Sequence, residues 1–417
     1  MDKKIGIYIH IPFCASKCAY CDFYSLAGKD KLMHEYHAAV LRHIKEYAPQ
    51  LDGYLIDTVY FGGGTPSHYG AGRIISIFNA IKKHGHVLLD AEVTVEVNPG
   101  TVTLDELYKL SRAGVNRLSI GVQSANDVIL KNIGRQHTFE TAEDTVKNAR
   151  TAGFKNISID LIYGLPSQSK DDWADTLARA AALKAEHVSC YGLKIEEGTP
   201  LYIFKDYPFL PDDDTQADMY LYAVETLARF GYKQYEVSNF ARRGFESQHN
   251  LKYWFGEEYI GIGPSAHSYI GQCRYSYIAD LEKYIERISS GITVIDQSEE
   301  MSDFEKAGEY LMLRLRTTRG ISEAEYHDIY HLSLDLVLEQ IRKFEAHGWM
   351  IFKDGRWRFT TQGFLLSNTL IGEILDAQTK QRTQTTKPWQ AAFVAEEDPQ
   401  LSLFKKKPVA AQVFNGE

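Results

Sequence analysis

Three of the five cysteines in this 417-residue chain, Cys14, Cys18 and Cys21, fall within eight residues in a C-x-x-x-C-x-x-C arrangement. At this cysteine content the pattern arises by chance about 0.0007 times per chain, so coincidence does not explain it. Thiolates this close together suit a soft metal centre, either zinc or an iron–sulfur cluster. A zinc site needs a fourth ligand, for which His10 is the nearest candidate. A [4Fe-4S] cluster normally takes four cysteines, so three would leave one iron open to a ligand from outside the chain. The run Gly62-Gly63-Gly64-Thr65-Pro66 is a second chemical feature, because glycine lets backbone groups approach a bound molecule with no Cβ in the way. Its plainer reading is a tight turn between a strand and a helix.

These residues need a scaffold, and the hydrophobic pattern supplies one. Strand-like runs at residues 5–11, 57–61, 91–97, 115–122, 156–162 and 187–191 alternate with helical stretches at 32–47, 73–83, 104–113, 140–152 and 171–183. Repeated βα units predict a parallel sheet with right-handed crossovers, open or closed into part of a barrel. The glycine- and proline-bearing segments fall at the C-terminal ends of the strands, the edge at which such sheets bind ligands. A helix at 215–230 and a strand at 233–237 follow. From about residue 303 the period changes to three short helices and two β-like runs joined by Asp354-Gly355, a hairpin turn signal. The pattern predicts an α/β core at 1–240, a loop-rich extension at 241–300, a winged-helix-like α+β domain at 301–376 and a disordered polar tail at 377–417.

Composition narrows the possibilities. With 44% hydrophobic and 24% charged residues the chain is an ordinary globular protein, and a net charge of -9 argues against a general nucleic-acid or anionic-membrane binder. There is no run of 18 or more apolar residues to cross a membrane. Ile5, Ile7, Ile9 and Ile11 alternate as in a strand rather than forming the continuous core of a signal peptide. Five cysteines in a chain this long are a poor disulfide framework and suggest a reducing cytoplasm.

The run Cys14-Ala15-Ser16-Lys17-Cys18-Ala19-Tyr20-Cys21 resembles the cluster signature of the radical S-adenosylmethionine superfamily. More narrowly, Tyr8-Ile9-His10-Ile11-Pro12-Phe13-Cys14, Gly62 to Ser67, Gly121-Val122-Gln123-Ser124, Arg135-Gln136-His137 and Asp160-Leu161-Ile162-Tyr163-Gly164-Leu165-Pro166 resemble, in family order, the coproporphyrinogen-dehydrogenase-like family. The resemblance implies a partial (β/α)6 barrel and a [4Fe-4S] cluster on Cys14, Cys18 and Cys21. Its open iron would be chelated by the amino and carboxylate groups of S-adenosylmethionine. By the same resemblance Tyr8, Tyr20, Gly63, Gly64, Thr65, Glu96, Gln123, Arg135 and Asp160 match the contacts to that cofactor. Arg135 could pair its carboxylate, while Glu96 and Asp160 could accept from the amine and the ribose hydroxyls.

The family has two branches. The dehydrogenases carry a further cysteine two positions after the triplet, where this chain has Phe23, and an arm before the first strand that has no counterpart here. The run His249-Asn250-Leu251-Lys252-Tyr253-Trp254 instead resembles the H-N-x-x-Y-W motif of the haem-chaperone branch. Histidine is a common axial ligand of haem iron, so the resemblance implies His249 in that role, with Tyr253 and Trp254 beside the macrocycle. His267, Cys190 and Cys273 are further ligand types, more simply read as packing residues. The implied function is binding haem and passing it to acceptor proteins. The alternative is a coproporphyrinogen III dehydrogenase, or another enzyme that cleaves S-adenosylmethionine to a 5′-deoxyadenosyl radical. In the tail, Gln400-Leu401-Ser402-Leu403-Phe404 resembles the peptide by which bacterial proteins dock on the DNA-polymerase sliding clamp.

Overall fold

The computed structural model describes residues 3–385, and the Gln400–Phe404 motif lies outside them. The chain divides after Gln297 into two compact units. In the first, six parallel strands lie side by side in chain order: β1 (Lys3–Ile11), β2 (Tyr54–Gly63), β3 (His86–Val97), β4 (Arg117–Gln123), β5 (Asn156–Tyr163) and β6 (His187–Gly192). Between them run α1 (Met33–Tyr47), α2 (Ala71–His84), α3 (Leu104–Ala113), α4 (Phe139–Thr151) and α5 (Lys170–Ala182). Local sequence sets the helix ends: Thr103 with Glu106 and Ser169 with Asp172 form capping boxes that satisfy orphan N–H groups at the starts of α3 and α5.

The sheet stays open. On one edge β7 (Asn239–Ala241) runs antiparallel to β6, so the expected strand at 233–237 is replaced by two short pieces, Lys233–Gln234 and β7. On the other edge β8 (Tyr259–Ile262) pairs in parallel with β1, which makes the loop-rich extension part of the same compact unit as the barrel.

Alternation along the strands separates two environments. Ile5, Ile7, Ile9 and Ile11, then Val93, Val95 and Val97, then Leu118, Ile120 and Val122 are buried in one apolar core with the helices. The residues between them share the opposite face in register: Tyr8 beside Tyr60, Tyr60 beside Thr94, Thr94 beside Arg117. Glu96 lies beside Ser119, and Asp160 beside Gly121 and Ser189. Barrel interiors that serve only as cores are filled with branched apolar side chains. This lumen is polar, as a chamber for a polar ligand would be.

The second unit holds Asp303–Arg314, Glu323–Tyr330 and Asp335–Ala346, followed by the hairpin Met350–Lys353 and Arg356–Phe359. Its turn places Asp354 at φ 54° and Gly355 at φ 73°, the left-handed pair that matches strand twist in a two-residue hairpin. The tail expectation needs correcting for residues 377–385, which continue the helix Ser367–Thr385. From Gln378 on, that stretch lacks apolar residues, yet Gln378 and Gln381 are buried through polar partners. Gln378 Nε2 donates to Tyr326 Oη at 3.1 Å, and Gln381 Oε1 accepts from Leu336 N at 2.9 Å, at a helix start with no side-chain cap of its own.

Candidate cluster and cofactor site

The loop after β1 carries the cysteines, and neighbouring elements fix its path through backbone hydrogen bonds. Ala19 N donates to Ile133 O at 3.1 Å, Leu201 N to Ala19 O at 2.9 Å, and Leu26 N to Pro12 O at 2.7 Å. The triple glycine lies directly against its start. Gly64 N donates to Ile11 O at 2.7 Å and Thr65 N to Phe13 O at 2.8 Å. A Cβ on Gly64 would stand 2.8 Å from Phe13 O, and one on Gly63 2.6 Å from the His10 ring, with Gly63 at φ 109°. Glycine is needed here so that two backbones can touch, and the result is to set Thr65 over Cys14.

Each sulfur of the triplet has its own polar neighbour. Thr65 Oγ1 donates to Cys14 Sγ at 3.3 Å, Arg135 Nη1 lies 3.9 Å from Cys18 Sγ, and Ser25 Oγ lies 3.8 Å from Cys21 Sγ. Cys14 is buried while Cys18 and Cys21 are part-exposed, and all three are free thiols. Burial pushes the Cys14 thiol up, and the Thr65 hydrogen bond opposes it. Tyr20 sits among Arg135, Cys18 and Cys21, its phenol pushed up chiefly by burial. Among the described residues no three His, Cys, Asp or Glu side chains gather as ligands of a single metal ion. Three free thiols on one loop are the donor type that an iron–sulfur cluster takes. His10 is a poor fourth zinc ligand: Nε2 is bonded to Tyr24 O at 2.8 Å and Nδ1 to Tyr8 Oη at 3.0 Å.

Around this loop the structure gathers the other expected residues at the C-terminal ends of the strands. Glu96 accepts from Tyr60 Oη at 2.9 Å and Gly63 N at 3.2 Å. Burial, with Asp160 adding repulsion, pushes its carboxyl up to about 7. Gln123 ends β4 at φ 67°, a conformation unusual for a residue with a Cβ, and its Oε1 is buried without a partner. Arg135 donates to Gly121 O at 2.7 Å and Asn98 Oδ1 at 3.1 Å, while its Nε is buried without a partner. Native interiors rarely leave such atoms unsatisfied, and both fit a polar ligand beside the cysteines. Asp160 accepts from Ser119 Oγ at 2.8 Å, Ser158 Oγ at 3.0 Å and Ser189 Oγ at 2.8 Å. Asn98 and these three serines escape motif reading. The signal for them is the polar half of the strand alternation, as in Thr94, Glu96 and Asn98 between Val93, Val95 and Val97.

His249 stacks on Tyr60 and Tyr8 at the side of the lumen, with its ring hydrogen-bonded within the protein. It lies on Gln248–Phe255, a helix held against β2 and β3. Glu92 on β3 accepts from the helix-start amides of Gln248 and His249 at 3.1 and 3.0 Å. The His249 ring is 1% exposed and stacks on Tyr60. Its Nδ1 is bonded to Thr58 Oγ1 and its Nε2 to Tyr253 Oη, both at 2.8 Å. Neither nitrogen is open to an iron. Lys252 beside it is buried against Asp57 at 2.8 Å and Glu257 at 3.2 Å. In this arrangement the H-N-x-x-Y-W run pins a helix to the barrel. Phe23, where the dehydrogenases carry their extra cysteine, is 70% exposed.

An open parallel half-barrel with a cysteine loop after its first strand, a glycine turn against that loop and a polar lumen defines a radical S-adenosylmethionine protein. Residues 8–180 match the Radical SAM superfamily, and residues 302–366 match the HemN C-terminal domain. The fold resembles Escherichia coli coproporphyrinogen III oxidase (HemN), with a TM-score of 0.80 over 90% of each chain at 23% identity. In sequence the chain is 35% identical over 374 residues to the heme chaperone HemW of Bacillus subtilis, covering 88% of this chain and 98% of that one. It is 34% identical over 372 residues to the Escherichia coli heme chaperone HemW, covering 88% and 97%. The chain belongs to the HemW family. No helix among the described residues is long and apolar enough to cross a membrane.

Proposed function

We propose that this protein binds haem and hands it to acceptor proteins, and that Cys14, Cys18 and Cys21 hold a [4Fe-4S] cluster whose open iron takes S-adenosylmethionine. The observation that carries the haem reading is the extent of the relationship, since proteins named heme chaperones align over 88% of this chain. Phe23 in place of a further cysteine supports it. For the cofactor, the support is the donor set. The loop tethers hold the three thiols in place, and Thr65, Arg135 and Ser25 put polar groups at the sulfurs. Glu96 and the Gly63 carbonyl accept hydrogen bonds from the amino group. Arg135 and Gln123 receive the carboxylate, Asp160 receives the ribose, and Thr65, Tyr8 and Tyr20 flank the site. A cluster held by Cys14, Cys18 and Cys21 would supply one-electron chemistry toward S-adenosylmethionine.

The full set of cofactor-facing residues also suits an enzyme, so one anaerobic assay separates the two readings. Protein with reconstituted cluster, reductant and S-adenosylmethionine is given coproporphyrinogen III in one arm and haem in the other. Stoichiometric haem uptake without consumption of coproporphyrinogen III is expected. Conversion of coproporphyrinogen III would overturn the chaperone reading.

Glu96 gives the cofactor site a pH signature. In the ligand-free protein its carboxyl is raised to about 7, and the ionised carboxylate is the stronger acceptor for the N–H groups of an iron-bound amine. Affinity for S-adenosylmethionine is therefore expected to rise as pH increases through about 7. Glu96→Gln should bind more weakly at pH 8 and show a shallower rise from pH 6 to 8, leaving only the slope set by deprotonation of the ligand's amino group. A wild-type profile no steeper than that of the variant would remove Glu96 from the site.

A further inference from the structure

Asn98 occupies a position that the cofactor contacts do not explain. It directly follows β3, in step with that strand's polar stripe, and joins two of the groups already placed at the sulfurs. Its Nδ2 donates to Thr65 Oγ1 at 3.0 Å, and its Oδ1 accepts from Arg135 Nη1 at 3.1 Å. Thr65 Oγ1 in turn donates to Cys14 Sγ at 3.3 Å, and the same Arg135 nitrogen lies 3.9 Å from Cys18 Sγ. One guanidinium thus faces Cys18 directly and reaches Cys14 through a chain of two neutral groups. Every link runs donor to acceptor in one direction, from cation to sulfur. The amide is fixed in orientation, because reversing it would set Asn98 Nδ2 against the guanidinium and leave Thr65 Oγ1 with no donor.

We propose that Asn98 is a positioning residue that couples the charge of Arg135 to the Cys14 sulfur through Thr65, and that this relay holds the reduction potential of the cluster up. The inference rests on the three cysteines carrying the cluster. Reduction adds negative charge to the cluster and its sulfurs. A donor at a sulfur stabilises the reduced state more than the oxidised one, and a charge-assisted chain does so more strongly than an isolated hydroxyl. Without Asn98 the Thr65 hydroxyl is unpolarised and free to turn from Cys14.

The test is a redox titration of the reconstituted cluster, followed by electron paramagnetic resonance with no S-adenosylmethionine added. Thr65→Val keeps the shape and removes the donor, Thr65→Ser keeps the donor, and Asn98→Ala breaks the middle link. Asn98→Asp can accept from Arg135 but cannot donate to Thr65, and it adds a negative charge. The expected order of midpoint potentials is wild type equal to Thr65→Ser, then Thr65→Val and Asn98→Ala lower by similar amounts, then Asn98→Asp lowest. Equal potentials across the series, with cluster content unchanged, would overturn the relay. If the wild type itself assembles no cluster, the assignment of the cysteines fails instead. A merely structural role for Asn98 would lower cluster content in Asn98→Ala and Asn98→Asp without ordering their potentials.

Discussion

Replacing Cys18 with alanine is expected to leave a folded chain whose iron and sulfide, after anaerobic reconstitution, drop from about four of each per chain to near zero. The size of the effect follows from coordination number. With one position already given to an outside ligand, loss of a second protein thiolate leaves two irons without one. The fold has little stake in this side chain, because Cys18 is part-exposed and the loop is held by backbone bonds from Ala19 to Ile133 and Leu201 and from Leu26 to Pro12. Near-ultraviolet circular dichroism should therefore match that of the cluster-free wild type. Binding of S-adenosylmethionine should fall with the cluster, since the open iron is its chelation point. A Cys18→Ala variant with a full complement of iron and sulfide would refute the ligand assignment.

The second large effect concerns stability. His249→Ala removes a buried stacked ring and strands Thr58 and Tyr253, whose hydroxyls bond its two nitrogens. Cavity and lost hydrogen bonds together are worth about 3 kcal/mol, and denaturant titration should record that loss. Burial holds the ring down to about 3 against an ordinary value of 6.5. Its folded pKa lies below the unfolded one, so its contribution is complete above pH 6.5 and is lost as pH falls toward 3. His10 and His137, lowered to about 4, and His43, lowered to about 3, act in the same sense. The histidines should lower stability as pH falls from 6.5, partly offset down to about pH 4.5 by Glu96 and Glu236, whose carboxyls are raised to about 7, and the slope should be shallower in His249→Ala. Haem titration of this variant should retain the wild-type stoichiometry. Loss of haem from a variant of unchanged stability would mean that the ring leaves its pocket to ligate iron.

The cysteine loop, the glycine turn and the six parallel strands were legible because each depends on near neighbours in sequence. Spacing places three thiols together, and alternation places their strand. What could not be read is set by pairing across strands. Ser158 shares a strand face with Asp160, but Ser119 and Ser189 come from the two flanking strands, and only register makes them its neighbours. Asn98 belongs to no motif and acquires a role only when the fold sets it between Thr65 and Arg135. His249 has the right chemistry for an iron ligand, but Thr58 and Tyr60 on β2 use its ring for packing. The polar helix end at 377–385 shows the opposite error, since buried glutamines with polar partners leave no hydrophobic period.

The most direct measurement is transfer of haem itself. Protein carrying cluster and one haem per chain is mixed with a haem-depleted acceptor, and the two are separated before absorption spectra are taken. Haem is expected in the acceptor fraction, with its spectrum and activity restored. Haem that stays with this chain, or reaches the acceptor no faster than free haem does, would contradict a role as a haem chaperone.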